Sequence, residues 1–186
     1  MPLRTNRLVL RRWQDRDRYP FAALNADPEV MEHFLAPLSH TESDAMVEKV
    51  EAHFDEHGFG LWALEVAETG EFIGFTGLSI PRFPAHFMPA VEIGWRLARS
   101  AWGRGYASEA AHRALKFGFE DINLPEIVSF TAIGNLRSQK VMARIGMTHD
   151  PVDDFEHPLM PEGIRLRRHV LYRLPAERWT ARPSGP

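Results

Sequence analysis

The stretch Trp102-Gly103-Arg104-Gly105-Tyr106-Ala107-Ser108-Glu109-Ala110 lies between a predicted strand, 91–97, and a predicted helix. Glycines permit a tight turn and a close approach of the backbone to a ligand, and the first N–H groups of a helix have no intrahelical partner. A helix N-terminus also carries a partial positive charge, which favours anions. The strand, turn and helix together therefore predict a site for the phosphates of a ligand.

Two common phosphate-binding motifs do not fit this turn. A P-loop ends in Gly-Lys-Ser/Thr, whereas this turn continues as Gly105-Tyr106-Ala107. A dinucleotide-binding turn has a third glycine and an acidic residue at the end of the next strand, but here the strand 127–131 leads into Thr131-Ala132-Ile133. Nucleotide hydrolysis and dinucleotide binding are therefore disfavoured, and a tight turn without any ligand stays open as the alternative.

A second patch further along the chain reads Thr131-Ala132-Ile133-Gly134-Asn135-Leu136-Arg137-Ser138, before a short helix that ends at Ile145-Gly146-Met147. Together with the strand Val91-Glu92-Ile93-Gly94-Trp95 and the glycine turn, these pieces resemble the GNAT superfamily of acyl-CoA-dependent N-acyltransferases. The opening Leu3-x-Thr5-x-Arg7-Leu8-x-Leu10-Arg11 is similar to the branch of ribosomal-protein serine/alanine N-acetyltransferases, the RimJ/RimL-like branch. The similarity runs from Leu3 to Leu174.

The resemblance implies an α/β (α+β) fold with a central mixed, mostly antiparallel and splayed sheet flanked by helices. We expect a single domain over 1–179, followed by a flexible tail at 180–186 that is rich in Pro, Ser and Gly. The hydrophobic patterns agree with this fold. They predict strands at 8–10, 61–66, 72–80, 91–97, 126–131 and 168–174, and helices at 15–26, from Thr41 to Gly58, after the glycine turn and after Asn135. The connecting loop 150–165 is long enough to be functional.

The resemblance also implies acetyl-CoA as co-substrate and a direct transfer of its acetyl group to a primary amine. In this superfamily the pantetheine arm lies in the gap of the splayed sheet, which here implies an N–H of the strand 92–97 facing the thioester. The residues expected to bind CoA are Trp95, Arg96, Leu97, Trp102, Gly103, Arg104, Gly105, Tyr106, Ala107, Ser108, Asn135 and Ser138. A catalytically silent CoA-binding or interaction domain on the same fold stays open, as does an unrelated phosphate-binding module.

The chain departs from the family at two positions. Trp102 stands where many members have Gln or Arg, so phosphate binding must depend on backbone N–H groups and on Arg104 or Arg99. Met142 stands where many members carry the tyrosine that protonates the leaving thiolate. In the resembling branch a serine takes this part, which implies that Ser138 faces the sulfur. The alternative is that Asn135 and Ser138 only cap the helix.

Three further residues are candidates for proton transfer at the acceptor. Glu92 is the carboxylate of an otherwise apolar strand, and it either accepts the amine proton or occupies a solvated edge position. His157 and His169 suit proton handling because histidine titrates near neutrality. The candidate catalytic residues are therefore Glu92, Ser138, His157 and His169. An acidic run at Asp150, Asp153, Asp154 and Glu156 is either a solvated loop or a feature that attracts a cationic acceptor.

Composition narrows the class of protein. The chain has 186 residues, 44% of them hydrophobic, and contains no cysteine, which excludes an acyl-cysteine mechanism. A net charge of -3 and a pI near 6.3 argue against nucleic acid as a partner. No apolar run is long enough to span a bilayer, so we expect a cytoplasmic protein without a membrane partner. His53 and His57 lack a third ligand, so no metal is expected, and a homodimer stays open.

Overall fold

The computed structural model describes residues 2–179, so the predicted tail at 180–186 lies outside the described residues. The strands are β1 (Leu3–Arg4), β2 (Leu8–Arg11), β3 (Leu61–Val66), β4 (Phe72–Ser79), β5 (Glu92–Leu97), β6 (Glu126–Ala132), β7 (Thr148–His149), β8 (Phe155–Glu156) and β9 (Arg168–Pro175). The helices are α1 (Asp15–Ala26), α2 (His40–His57), α3 (Tyr106–Lys116) and α4 (Leu136–Arg144). A π-helical turn, Phe117–Asp121, continues α3.

The strands form one mixed sheet in the order β1-β2-β3-β4-β5-β6-β9-β7, with β8 paired to β9. All neighbouring strands run antiparallel except β5 and β6, which are parallel. The predicted mixed, mostly antiparallel sheet is therefore confirmed. The exception matters because the parallel junction between β5 and β6 is where the sheet opens.

The helices cover both faces of this sheet. On one face, the ring of Phe21 in α1 packs edge-on against Phe75 of β4, with 6.0 Å between the ring centroids. On the other face, Gly118 in the turn after α3 sits so close to Leu78 and Ile127 that a Cβ there would lie 3.1 Å from Leu78. Since Phe75 and Leu78 point to opposite sides of β4, the hydrophobic core is divided into two layers by the sheet.

Local signals explain most element boundaries. The helix predicted from Thr41 begins earlier, because the Ser39 side chain accepts from the N–H of Glu42 and Glu42 reaches back to the Ser39 backbone. It ends at Gly58, which adopts a left-handed conformation as expected for a C-cap. The region 150–165 is not purely a loop, since β8 forms there and pairs with β9. Within residues 2–179, no helix combines the length and the apolar character needed to cross a bilayer.

Candidate functional site

A gap opens between β5 and β6 after a single residue pair, Glu92 with Val128. The N–H of Val128 donates to the carbonyl of Val91 at 2.9 Å, and the hydroxyl of Ser129 donates to the carbonyl of Ile93 at 2.8 Å. Backbone groups alternate along a strand, so those of Trp95 point toward the same edge, where β5 and β6 have already diverged. The splayed strands that the resemblance implies are therefore present.

The gap is part of a cavity of about 640 Å³. Residues of β5, β6, β9 and α4 line it, together with the first turn of α3. The structure brings all but one of the predicted site residues to this cavity; the exception is Arg104, whose side chain is exposed outside it. The predicted residues that line it are Glu92, Trp95, Arg96, Leu97, Trp102, Gly103, Gly105, Tyr106, Ala107, Ser108, Asn135, Ser138, His157 and His169.

The glycine turn has the geometry of an anion site. Gly103 and Gly105 have φ values of +75° and +79°, which favour glycine, and Gly105 is the N-cap of α3 without a side-chain cap. The hydroxyl of Ser108 is buried and has no hydrogen-bond partner among the described residues. The first turn of α3 therefore offers backbone donors, a partial positive charge and one hydroxyl to a ligand in the cavity.

A clamp on this turn was missed by the sequence analysis. Glu109 accepts hydrogen bonds from the Thr5 hydroxyl at 2.6 Å and from Nε of Arg7 at 2.7 Å. Arg7 also donates to the carbonyl of Arg104 at 3.0 Å. The signal lay in the sequence, because the Thr5-x-Arg7 opening and Glu109 belong to two of the motifs that carry the family resemblance.

Trp102 contacts two guanidinium groups at the start of the turn. Its indole N–H donates to the carbonyl of Leu97 at 2.9 Å, and Arg99 and Arg137 lie 4.9 and 4.5 Å from its ring centroid. Arg99 pairs with Glu29 at 2.9 Å, which leaves it poorly placed as a dedicated phosphate ligand. The backbone of the turn is therefore the stronger candidate for that contact.

Glu92 lies in the interior of the sheet at the narrow end of the gap. The alternative that it is a solvated edge residue is wrong, because β5 is flanked by β4 and β6. Burial raises the pKa of Glu92 to about 8, and a hydrogen bond with the Ser79 side chain, which favours the charged form, opposes this shift only in part. A carboxyl group with this pKa can exchange protons near neutral pH.

Asn135 caps the start of α4, and this part of the helix also lines the cavity. Asn135 accepts from the N–H of Ser138 at 3.2 Å and donates to the Thr131 hydroxyl at 3.0 Å, so the predicted capping is present. Both Asn135 and Ser138 nevertheless line the cavity. Met142 is 1% exposed and has no dissociable proton, so it cannot replace the tyrosine that many family members have there.

The two predicted histidines form a pair in the wall of the cavity. The ring centroids of His157 and His169 are 4.9 Å apart, and both rings are buried beside Phe130 and Phe155. Burial, with a smaller contribution from His169, lowers the pKa of His157 to about 4, and burial also lowers the pKa of His169. Both rings are therefore neutral at pH 7.

Hydrogen bonds fix the tautomers of these neutral rings. Nδ1 of His157 accepts from the N–H of Leu159 at 3.3 Å, so its proton is on Nε2. Nδ1 of His169 lies 3.1 Å from the carbonyl of Arg167, which can only accept, so Nδ1 carries the proton and Nε2 of His169 has a free lone pair. His169 is thus the better proton acceptor of the two.

The acidic run after Asp150 does not line the cavity. Asp153 pairs with Arg173 at 2.7 Å, Asp154 with His149 at 2.7 Å, and Glu156 with Arg167 at 3.2 Å. Because these side chains lie outside the cavity lining and contact basic partners there, the idea that they attract a cationic acceptor into the cleft is wrong. In the part of the chain that the structure describes, no group of three or more His, Cys, Asp or Glu side chains is arranged to hold a metal ion.

Residues in the segment between α1 and α2 complete the cavity and were not predicted as site residues. His33 and Phe34 line it, and the Arg96 side chain reaches toward this segment, with its guanidinium carbon 4.1 Å from the Phe34 ring centroid. Nη1 of Arg96 donates to Asn25 of α1 at 2.6 Å. The side chain of Arg96 therefore faces the α1 side of the sheet, and this contact between distant segments has no signature in the sequence.

Comparison with known proteins gives consistent results. A profile of the acetyltransferase (GNAT) domain family matches residues 7–148. The Bacillus subtilis protein YkkB, itself uncharacterised, is 34% identical over 77% of this chain and 83% of its own length. The FsC-acetyl coenzyme A-N(2)-transacetylase of Aspergillus fumigatus is 32% identical over 84% of this chain and 68% of its own length.

Solved structures share the fold. An acetyltransferase from Agrobacterium tumefaciens is 32% identical and superposes with a TM-score of 0.75 over 94% of both chains. Mycobacterium smegmatis RimJ, solved in complex with CoA-disulfide, is 23% identical and has a TM-score of 0.71 over 95% of this chain and 87% of its own. The latter similarity concerns the fold alone.

Proposed function

The chain belongs to the GNAT acetyltransferase family and is an acetyl-CoA-dependent acyltransferase, and from that premise we propose that it transfers the acetyl group to a primary amine by direct attack. The observation that carries the proposal is that the glycine turn and Glu92 open into the same cavity. One end of that cavity suits the phosphates of the donor, and the other holds a carboxyl group that can take a proton from the acceptor.

The donor side is supported by the chemistry of the first turn of α3. The pyrophosphate of acetyl-CoA is an anion, and it matches the backbone N–H groups that follow Gly105 and the unpartnered hydroxyl of Ser108. The pantetheine arm carries amide groups, which match the exposed strand edges of the gap. In this arrangement the N–H of Trp95 faces the thioester carbonyl and stabilises the negative charge that develops on its oxygen.

The acceptor side requires a base, because an amine arrives mostly as ammonium. Glu92 accepts that proton, directly or through water, and His169 is the second candidate because Nε2 has a free lone pair. The amine nitrogen then forms a bond to the thioester carbonyl carbon, and the carbon–sulfur bond breaks. The leaving thiolate receives a hydrogen bond and a proton from the Ser138 hydroxyl. As the amide forms, the nitrogen releases its second proton to solvent, and solvent returns a proton to Ser138.

An assay of thiol release tests the proposal. Purified protein is incubated with acetyl-CoA and a panel of primary amines that includes amino acids, polyamines and peptides with free N-termini. We expect amine-dependent release of CoA thiol and the appearance of an acetylated amine by mass spectrometry. Thiol release that does not depend on any amine would contradict transfer and indicate hydrolysis.

Met142 is the observation that favours the alternative of a catalytically silent domain, since the usual proton donor is missing at its position. The same assay separates the two functions when CoA binding is measured by calorimetry on the same protein. Binding of CoA without transfer to any amine would support the silent domain. Absence of CoA binding would contradict both.

A further inference from the structure

Arg96 is a cation in the cavity wall without an acidic partner. None of the ion pairs formed within residues 2–179 includes Arg96. Burial lowers the pKa of its guanidinium to about 10, with no neighbouring charge raising it. A buried cation is unfavourable unless a partner compensates its charge, so this position calls for an explanation.

The groups that hold Arg96 are neutral. Nη1 donates to the side-chain oxygen of Asn25, and Asn25 in turn donates to the hydroxyl of Ser43 at 2.9 Å. Asn25 and Ser43 are both fully buried, which fixes the orientation of the guanidinium. The rings of Phe34 and Phe75 lie 4.1 and 5.5 Å from its central carbon and contribute only the weaker attraction of a cation for an aromatic face. The network therefore positions the charge without neutralising it.

One edge of the guanidinium remains for a ligand. Nη1 is engaged by Asn25, whereas Nε is buried and has no hydrogen-bond partner among the described residues. The guanidinium edge formed by Nε and Nη2 can donate two parallel hydrogen bonds to the two oxygens of a carboxylate. Because Arg96 lines the cavity, an anion within the cavity can supply these oxygens.

The position of Arg96 relative to Glu92 indicates that this anion is a group of the acceptor molecule. Both side chains project from the same face of β5, separated by Gly94, because residues two apart share a face. A Cβ at Gly94 would meet only Oε1 of Glu92 within 4 Å, at 3.9 Å, among the described residues. The space above Gly94 is thus open, so a substrate can extend from the carboxyl group of Glu92 toward Arg96.

The other charges of the cavity agree with an anionic acceptor. The charged residues in its lining are Glu92, Arg96, Arg137, Lys140 and Arg144, so four of the five are basic. The one acidic residue is largely protonated at neutral pH, since its pKa is about 8. Arg137 pairs with Glu32 at 2.7 Å, but the other basic residues of the lining still outnumber the acidic one, which favours a carboxylate over a polycation.

We propose that Arg96 binds a carboxylate of the acceptor, so that the preferred substrate is a primary amine that also carries a carboxylate. The inference rests on the proposed function and deepens it by assigning the substrate class. The carboxylate can come from a small amino acid with a separate terminal amine or from an acidic side chain next to a peptide N-terminus. Arg96 is then a specificity-determining residue that touches the substrate.

Matched substrate pairs test this assignment. One pair is an amino carboxylic acid and its carboxamide, tested with several chain lengths between amine and acid. The other is a short peptide with Asp or Asn as its second residue. For at least one pair, we expect kcat/KM of the wild type to favour the acid by about tenfold to 100-fold, and Arg96→Gln to abolish the preference. The pair that shows the preference identifies the source of the carboxylate.

The controls separate this inference from loss of fold or of donor binding. In Arg96→Gln, kcat/KM should fall much further for the acid than for the neutral member of the pair, and calorimetry with CoA reports separately on the donor side. Arg96→Lys keeps the charge but not the fork and should retain part of the preference. Arg18→Gln removes an arginine from α1 outside the cavity lining and should retain all of it. Equal rates for acid and amide in the wild type would overturn the inference alone, as would a loss of CoA affinity in Arg96→Gln, whereas acetylation of no amine would overturn the proposed function.

Discussion

Nε of Arg7 lies 2.7 Å from Oε2 of Glu109, and this contact bridges 102 positions of sequence to join the N-terminal strands to the first turn of α3. The backbone N–H of Arg7 donates to the same carboxylate at 3.0 Å, and the Arg7 side chain also reaches the carbonyl of Arg104. Arg7 therefore contacts both the carbonyl of Arg104 inside the glycine turn and the side chain of Glu109 in the first turn of α3. The shape of the proposed phosphate site depends on residues that do not line the cavity.

Glu109→Gln should weaken CoA binding through this clamp. The change removes the charge that organises Thr5 and Arg7, and a double-mutant cycle with Arg7→Ala should give a coupling of about 1 kcal/mol, since Arg7 is about half exposed. Calorimetry with CoA and thermal unfolding measure the two effects. The matched control is Glu120→Gln. Glu120 lies in the π-helical turn after α3 and pairs with Lys116, and its replacement should leave CoA affinity unchanged. Equal CoA affinity in Glu109→Gln and wild type would show that the clamp does not shape the turn.

Gly105→Val should lower the affinity for CoA by about tenfold or more, because the left-handed conformation at this position is strained for a β-branched residue. The cause is not a clash, since among residues 2–179 a Cβ at Gly105 would meet only Nη2 of Arg7, at an ordinary 3.5 Å. Gly70→Val provides a close control. Gly70 has a φ of +72° and open space where a Cβ would lie, but it is in the turn between β3 and β4. Both variants should melt earlier, and only Gly105→Val should lose affinity when CoA is titrated.

The rate of transfer should rise as the pH increases through about 8, because Glu92 must lose its proton before it can accept one from the amine. Glu92→Gln should lower the rate at neutral pH by about 100-fold and reduce the dependence on pH, with CoA binding nearly unchanged. Ser79→Ala should move the midpoint of the profile to higher pH, because the Ser79 hydrogen bond favours the charged carboxylate. A normal profile in Glu92→Gln would transfer the role of base to His169, His157 or a water chain.

Glu92 also makes the stability of the fold dependent on pH. Its pKa is raised in the folded state, so the folded protein binds more protons than the unfolded chain between the unfolded value near 4.5 and about 8. The contribution of Glu92 to the free energy of unfolding is therefore largest at low pH and is lost as the pH rises through this window. The melting temperature of Glu92→Gln should exceed that of the wild type more at about pH 9 than at about pH 5. A difference that does not vary with pH would contradict the raised pKa.

Ser138→Ala should reduce turnover by about 100-fold with little effect on CoA affinity if the hydroxyl serves the leaving thiolate. Ser138→Thr, which keeps a hydroxyl, should restore most of the rate. Asn135→Ala should weaken CoA binding and also cost about 1 kcal/mol of stability, because Asn135 caps α4. The comparison uses steady-state kinetics and thermal unfolding. A Ser138→Ala variant that turns over normally would limit Ser138 to a structural part in the helix.

Local motifs were sufficient to identify the family, and the family resemblance implied the mixed sheet. All but one of the predicted site residues line the cavity, although they make up fewer than half of its lining. The strand before the glycine turn, the turn itself and Asn135 each carry a recognisable local signal. The strands β1, β7 and β8 could not be predicted, because a two-residue strand is too short to show an alternating pattern. They form because longer neighbouring strands offer them hydrogen bonds.

The parts of the site that depend on tertiary contacts were beyond prediction from one sequence. The environment of Glu92 is set by its place between β4 and β6, and that place is determined by the order of strands. The contact of Arg96 with Asn25 joins positions 71 residues apart and resembles no motif. The acidic run at 150–156 was misleading for a related reason, since its histidine partner lies on β7 and its arginine partners lie on β9 and directly before β9.

The narrow junction between β5 and β6 has a consequence for how such a protein can diverge. The strand edge that opens beyond Ile93 consists of backbone groups, which are the same whatever side chains the strand carries. Arg96, by contrast, is a side chain on the face that meets the proposed acceptor. A lineage can therefore exchange one acceptor for another by single substitutions on that face, while mutation leaves the backbone edge that receives the donor untouched.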